Sequence, residues 1–187
     1  RQRQMCIRDS PYFERLIGLC AEATSEAIAN LESAWVSSGS GTCDLAQNRD
    51  AWDEDSQQFV TGFNPDGEAD DAVLVARVST DDGTTLATLV NYGCHPTTLG
   101  PTNRLLSPDY IGAMRETIEK ETDGAPSMFL QGASGELAPR YQYVGDPEVA
   151  DANGRHLGYA ALAALADMEP PRTELVFDRI VESGTPL

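Results

Sequence analysis

The histidine at position 95 is the residue whose type and place most favour chemistry. It follows a predicted strand that ends in residues 89–92, and Pro96 then prevents further strand pairing. A strand end that opens into a loop commonly displays functional side chains. A catalytic zinc needs three protein ligands, so one histidine cannot hold the metal alone, and a purely structural role for His95 stays open. The second histidine, His156, falls inside a predicted helix and is interpreted as a surface or half-buried residue.

A stretch of small residues forms the second candidate site. It follows a short apolar run at 127–130 and consists of Gly132, Ala133, Ser134 and Gly135. Because glycine has no Cβ, such a loop lets backbone N–H groups approach either a ligand or a neighbouring strand closely. Both interpretations stay open, and the first makes these four residues candidate substrate contacts. Ser134 lacks the spacing of a nucleophile elbow, since glycine follows it directly, although His95 could approach it in space.

The charge and composition exclude two classes of protein. The 187 residues carry a formal net charge of −17, with 41% hydrophobic and 23% charged residues. This composition is typical of a folded globular domain. No apolar stretch approaches the roughly 20 residues that cross a bilayer, which excludes a membrane-embedded protein. Because the acidic chain would repel phosphate, we expect no nucleic-acid partner.

The elements that must position these residues mix helices with strands. Apolar residues at three- and four-residue spacings indicate helices, and Asp81-Asp82-Gly83 is typical of a tight hairpin turn. The predicted order is a helix at 11–33, a strand broken by a turn at 35–45, a loop at 50–71, hairpin strands at 73–78 and 85–92, a helix at 110–122, a buried strand at 127–130, a helix at 147–166 and a strand at 174–181. We therefore predict a mixed α/β fold, with a mixed sheet flanked by helices, in a partial domain.

The first ten residues differ in composition from the rest of the chain. They hold three arginines and resemble translated sequencing-adapter text, so we expect residues 1–10 to be a non-native stub. Residues 11–187 would then be a fragment of a longer protein, and the missing signal peptide would say nothing about its compartment.

Four segments in this order resemble the N-terminal catalytic domain of neutral/alkaline non-lysosomal ceramidases. They are Asn48-Arg49 and residues 90–97, 106–112 and 129–140. The resemblance extends over about residues 12–182. It implies a zinc-dependent hydrolase that cleaves an amide bond in a small lipid-like, ceramide-like substrate. It also implies a secreted or periplasmic location.

The resemblance assigns roles to three residues. His95 matches the family's second histidine ligand to the zinc, and Arg49 matches an arginine that faces the substrate carbonyl. A guanidinium suits that role because it stays charged and offers several donors; the alternative is a surface ion pair with Asp50 or Asp53. Glu136 is an acid/base candidate, with stabilisation of the glycine-rich loop as the alternative.

The sequence also departs from the family pattern. The first histidine ligand should precede Tyr12, and the glutamate and tyrosine ligands should follow Leu187, so we expect the remaining zinc ligands outside this chain and no activity from it alone. Ala138 stands where the characterised ceramidases have a serine, which puts ceramide itself in doubt. The alternatives are a non-catalytic ligand-binding homologue, a hydrolase of a non-ceramide amide or ester, and a serine hydrolase using Ser134 and His95.

Overall fold

The computed structural model describes residues 11–101 and 103–169. The chain divides into two compact units, Arg1–Ser33 and Ala34–Leu187. The first contains helix α1 (Pro11–Ala29), none of whose residues is buried. The predicted helix is therefore confirmed, but it ends four residues early, where Asn30 takes up a turn. Asparagine favours turns because its side chain competes for backbone hydrogen bonds.

The second unit is built on a four-stranded sheet flanked by helices. Its described elements are β1 (Trp35–Thr42), β2 (Ala46–Asn48), β3 (Asp50–Asp53), β4 (Gln58–Thr61), β5 (Ala72–Ser79), β6 (Thr85–Tyr92), α2 (Tyr110–Glu121), β7 (Ser127–Gln131), β8 (Leu137–Pro139) and α3 (Pro147–Ala166). The sheet order is β1-β5-β6-β7, with antiparallel pairs except for the parallel pair β6–β7. Helix α2 connects the two parallel strands. The predicted mixed α/β class is confirmed.

Local turn and cap chemistry explains the elements that were predicted correctly. The β5–β6 hairpin turns through Gly83 at φ 88°, a conformation that glycine adopts without strain. Asp109 caps α2 by accepting a hydrogen bond from the backbone N–H of Tyr110 at 2.8 Å. Asp146 caps α3, with Pro147 in the first turn.

The turn predicted within residues 35–45 is wrong, because β1 runs unbroken through Gly39 and Gly41. A Cβ on Gly39 would lie 3.2 Å from the Ala164 carbonyl oxygen, and one on Gly41 would lie 3.3 Å from the Ala164 Cβ. These glycines therefore let α3 pack closely onto the strand instead of bending it.

Two further sequence predictions need correction. Residues 50–71 are not a continuous loop, since β3 and β4 form a hairpin there in which the Trp52 and Phe59 rings meet edge-on at 5.1 Å. The strand β7 is buried on one face only, and Met128 on its other face is 58% exposed. β7 is an edge strand of the described sheet, and helices cover only one face of that sheet. Alternate residues of the strand are therefore exposed to solvent on the other face. The strand predicted at 174–181 lies outside the described residues.

The core fixes the end of β6, where the candidate site begins. Side chains of the sheet and of both helices meet in this core, among them Val90, Tyr92, Tyr110, Met114 and Leu157. The Tyr92 hydroxyl donates to the Cys43 carbonyl and accepts from the Ala46 N–H, both at 2.7 Å. The Tyr110 hydroxyl donates to the Cys94 carbonyl at 2.5 Å. Burial raises the pKa of both tyrosines well above the ordinary value, so both stay neutral donors.

None of the three helices in the described residues combines the length and the apolar character that a bilayer-crossing segment requires.

Candidate functional site

The ends of the parallel strands β6 and β7 approach each other unusually closely. The Gly132 N–H donates to the Tyr92 carbonyl at 3.0 Å. A Cβ on Gly132 would lie 3.0 Å from the Gly93 nitrogen, and one on Gly93 would lie 2.5 Å from the Ala133 carbonyl oxygen. Of the two interpretations of this glycine-rich stretch, the approach to a neighbouring strand therefore accounts for Gly132.

Residues 132–137, here called the glycine loop, are held in place by hydrogen bonds at both ends. The Leu137 N–H donates to the Ser134 carbonyl at 3.0 Å, closing a turn. The Gln131 side-chain amide donates to the Cys94 carbonyl at 3.1 Å and to the Ser134 hydroxyl at 2.9 Å. The loop then enters β8, which pairs with β2. It is therefore a fixed platform beside the end of β6.

His95 lies half-buried against this loop, and its hydrogen bonds define its tautomer. Its backbone N–H donates to the Leu137 carbonyl at 3.1 Å, and its Nδ1 lies 3.0 Å from the same oxygen. A carbonyl oxygen can only accept, so Nδ1 carries the proton and donates. When the ring is uncharged, its lone pair is therefore on Nε2, which has no hydrogen-bond partner within residues 11–101 and 103–169.

Arg49 contacts the same loop through both its side chain and its backbone. Its Nε and Nη2 donate to the Gly135 carbonyl at 3.1 and 2.9 Å, and its backbone N–H donates to the Glu136 carbonyl at 2.8 Å. The ion pair weighed as an alternative, with Asp50 or Asp53, is not formed among the described residues. The Asp53 carboxylate instead accepts hydrogen bonds from Ser56, chiefly from its hydroxyl, and these lower its pKa. The remaining guanidinium N–H groups have no hydrogen-bond partner among the described residues, so they could donate to a ligand.

The structure does not pair Ser134 with His95, and it places Glu136 on the surface. The Ser134 hydroxyl accepts from Gln131, while the His95 ring donates to Leu137, so each group of the suspected serine–histidine pair has another partner. The Glu136 side chain is exposed and has no hydrogen-bond or ion-pair partner in the described part of the chain. Its predicted acid/base role and the predicted substrate contacts of the loop remain predictions.

The donor set around His95 fits one ligand of a metal site. Within residues 11–101 and 103–169, no group of three His, Cys, Asp or Glu residues could hold a metal ion. Cys94, next to His95, is fully buried in the core, where burial raises the pKa of its thiol to about 12. His95 itself has the arrangement common to metal-bound histidines, with a backbone carbonyl fixing the ring nitrogen that faces away from the metal.

Two solved structures match the chain in fold. A crystal structure of the neutral ceramidase from Pseudomonas aeruginosa matches 83% of the chain with a TM-score of 0.66 and 19% sequence identity. This chain has the fold of part of a neutral ceramidase. A ceramidase complexed with C2 matches the same share with a TM-score of 0.67 and 19% identity, and the chain spans 26% of each of those proteins. No protein-family model and no curated protein matches it.

The four sequence segments predicted a resemblance to ceramidases, and these two matches confirm it for the fold. Within this fold, Ala138 lies in β8 opposite Gln47 and is 1% exposed. Its methyl group contacts protein and cannot donate or accept a hydrogen bond. A residue so placed does not present chemistry to a substrate in this chain.

Several residues that shape this part of the ceramidase fold were not found from the sequence. Gln131 bridges the ends of β6 and β7, and Tyr143 donates its N–H to the Thr97 carbonyl at 2.8 Å. Both contacts join residues about 40 apart, so no local pattern indicates them. His156 is as expected, since it lies half-exposed on α3, 3.3 Å from the Asp44 carboxylate.

Proposed function

We propose that this chain contributes to the active site of a zinc-dependent hydrolase that cleaves an amide bond in a lipid-like substrate. The observation that carries the proposal is the tautomer of His95, whose Nδ1–H is donated to the Leu137 carbonyl and whose Nε2 lone pair is free among the described residues. The ceramidase fold supports it, because a protein of that fold is named for cleaving ceramide.

His95 would hold the zinc through Nε2, together with ligands that the described residues do not supply. A bound zinc would polarise the substrate carbonyl and lower the pKa of its water. The Leu137 carbonyl fixes the ring and, by accepting the Nδ1 proton, makes Nε2 a better donor. Because Leu137 belongs to the glycine loop, the position of His95 depends on that loop.

Arg49 would orient the substrate and stabilise charge on its carbonyl oxygen. Two of its N–H groups hold the Gly135 carbonyl, which fixes the guanidinium beside the loop, and the others remain to donate to an oxyanion. The exposed Glu136 carboxylate would take a proton from the attacking water and then donate that proton to the leaving amine.

A second candidate is a homologue that binds a similar ligand without cleaving it. Ala138 favours it, since its buried methyl group replaces a serine that the family resemblance assigns to the site. The same substitution favours, within the hydrolase proposal, an amide or ester other than ceramide.

The protein encoded by the complete reading frame tests the proposal. We expect it to release fatty acid from a short-chain fluorescent ceramide or from an N-acyl ethanolamine, to lose this activity on treatment with a zinc chelator, and to regain it with Zn²⁺ but not with Mg²⁺. Released fatty acid is measured by chromatography. Activity that survives complete removal of zinc contradicts the metal-dependent mechanism, and ligand binding without any hydrolysis supports the second candidate.

A further inference from the structure

The backbone that carries His95 lies beyond the end of its strand. Strand β6 ends at Tyr92, and residues 93–97 belong to no helix or strand. At this end of the sheet the Gly132 N–H donates to the Tyr92 carbonyl at 3.0 Å. The next peptide groups need other partners, because a buried backbone N–H or carbonyl is costly without one. Contacts outside the sheet must therefore orient the peptide group between Cys94 and His95.

Hydrogen bonds hold both ends of this peptide group. Its N–H, which belongs to His95, donates to the Leu137 carbonyl at 3.1 Å. Its carbonyl, which belongs to Cys94, accepts from the Tyr110 hydroxyl at 2.5 Å and from the Gln131 Nε2 at 3.1 Å. A carbonyl oxygen has two lone pairs, so these two donors use its full capacity. Together the three contacts fix the plane of the peptide group from which the histidine side chain projects.

Gln131 makes a second contact, with the glycine loop. Its Nε2 also donates to the Ser134 hydroxyl at 2.9 Å. Because the Cys94 carbonyl can only accept, the nitrogen end of the amide must face it, and the same nitrogen supplies both hydrogen bonds. Ser134 is in turn the residue whose carbonyl accepts from the Leu137 N–H at 3.0 Å. One side-chain amide therefore joins the backbone of His95 to the turn that ends at Leu137.

The orientation of the His95 ring depends on both of the groups that Gln131 joins. The ring is attached to the backbone at one end, and its Nδ1 lies 3.0 Å from the Leu137 carbonyl at the other. If the backbone and the loop could move independently, this hydrogen bond would lengthen and weaken. The tautomer of a histidine ring is set by the partner of one of its nitrogens. A side chain that fixes the distance between the two groups therefore also favours one tautomer.

Gln131 and Tyr110 both donate to the Cys94 carbonyl, but they differ in burial. Gln131 is exposed, and substitutions at exposed positions usually have small effects on stability. Tyr110 is fully buried, so loss of its hydroxyl removes a hydrogen bond inside the core. The two residues therefore allow an effect on His95 to be separated from an effect on the stability of the fold.

We propose that Gln131 is a positioning residue for His95, whose side-chain amide keeps the ring protonated on Nδ1 and leaves the lone pair on Nε2. This role rests on the proposed function, because the lone pair on Nε2 matters for catalysis only where His95 binds zinc. Gln131 acts through the Cys94 carbonyl and the Ser134 hydroxyl, without itself contacting metal or substrate. Loss of a residue that orients a metal ligand typically weakens metal binding 10- to 100-fold.

The test uses the 187-residue chain without metal, at about pH 8.5, where a histidine ring is ordinarily uncharged. Long-range ¹H–¹⁵N spectra give, for each of its two histidine rings, the ratio of the form protonated on Nδ1 to the form protonated on Nε2. Gln131→Met keeps an unbranched side chain but removes the N–H donors. We expect it to lower this ratio for His95 at least about threefold, an effect that the loss of one hydrogen bond can produce. Because neither zinc nor hydrolysis is involved, the result is independent of whether the catalytic proposal holds.

Ser134→Ala breaks the same connection from the side of the loop. It should lower the His95 ratio by a similar factor, and the double variant with Gln131→Met should be no lower than the lower of the two single variants. Residues that act through one shared contact show this lack of additivity. Ser134→Ala also decides the test if Gln131→Met does not fold, since an unchanged ratio in it would overturn the proposal.

Two controls separate positioning from general effects on the structure. Gln142→Met is the matched control, because the Gln142 Nε2 also donates to a backbone carbonyl, that of Gly62 at 2.9 Å, and should leave the ratio unchanged. Tyr110→Phe should lower the urea midpoint but keep the ratio, since Gln131 still joins the two groups. A proton on Nε2 of His95 in the unmodified chain, an unchanged ratio in folded Gln131→Met, or an equal fall in either control would overturn the proposal.

Discussion

Replacing His95 by alanine is expected to lower the rate of amide hydrolysis by at least about 1,000-fold in the protein encoded by the complete reading frame. The substitution removes the Nε2 lone pair that would hold the zinc, while the carbonyl of Leu137 stays in place to accept other hydrogen bonds. The zinc content per protein molecule, measured by atomic emission, should fall in parallel. The rate is measured on the substrate that the unmodified protein cleaves.

His156→Ala provides the matched control for that experiment. His156 is the other histidine of the chain, and its exposed ring contacts the Asp44 carboxylate. Its removal should leave both the rate and the zinc content within about twofold, as surface substitutions usually do. Unchanged zinc in His95→Ala would show that the metal is held without this residue.

Gly154→Ala is expected to destabilise the second unit by about 3 kcal/mol, at the upper end of what overpacking of a core costs. A Cβ at this position of α3 would overlap the Tyr110 carbonyl oxygen and lie 2.7 Å from the Ala113 Cβ. The two helices would have to move apart. Because the Tyr110 hydroxyl holds the Cys94 carbonyl, the movement would also disturb the backbone next to His95.

Urea unfolding followed by tryptophan fluorescence measures this effect, since Trp35 and Trp52 both belong to the second unit. Gly18→Ala is the control, because Gly18 is also helical but a Cβ there meets nothing within 4 Å. The control should not lower the midpoint, since alanine is the better helix former by about 1 kcal/mol. Equal midpoints for Gly154→Ala and the unmodified chain would contradict the close packing of α2 on α3.

The elements predicted correctly from the sequence are those whose cause lies within a few residues. The β5–β6 turn depends on Gly83, and the starts of α2 and α3 depend on Asp109 and on Asp146 with Pro147. The glycines of β1 were misread because their partner, Ala164, is more than a hundred residues away along the chain. A glycine required by close packing and a glycine required by a turn look alike until the partner is known.

The candidate site also has some features that could be predicted from the sequence and others that could not. His95 and the glycine loop could be found from the sequence, because each follows an apolar strand-like run. The tautomer of His95 could not, since it is set by the carbonyl of Leu137, 42 residues further on. The positive φ of Tyr143, whose N–H donates to the Thr97 carbonyl, could not be predicted from the sequence either, because Thr97 lies 46 residues earlier in the chain.

We expect His95 to bind zinc through Nε2 while its Nδ1–H stays bonded to the Leu137 carbonyl. Long-range ¹H–¹⁵N spectra of the histidine rings in the complete protein, recorded with zinc removed and restored, test it most directly, and His156→Ala assigns the signals. We expect a protonated Nδ1 in both samples and a zinc-dependent shift at Nε2 of His95. A proton on Nε2, or a ring whose nitrogen shifts do not respond to zinc, would contradict it.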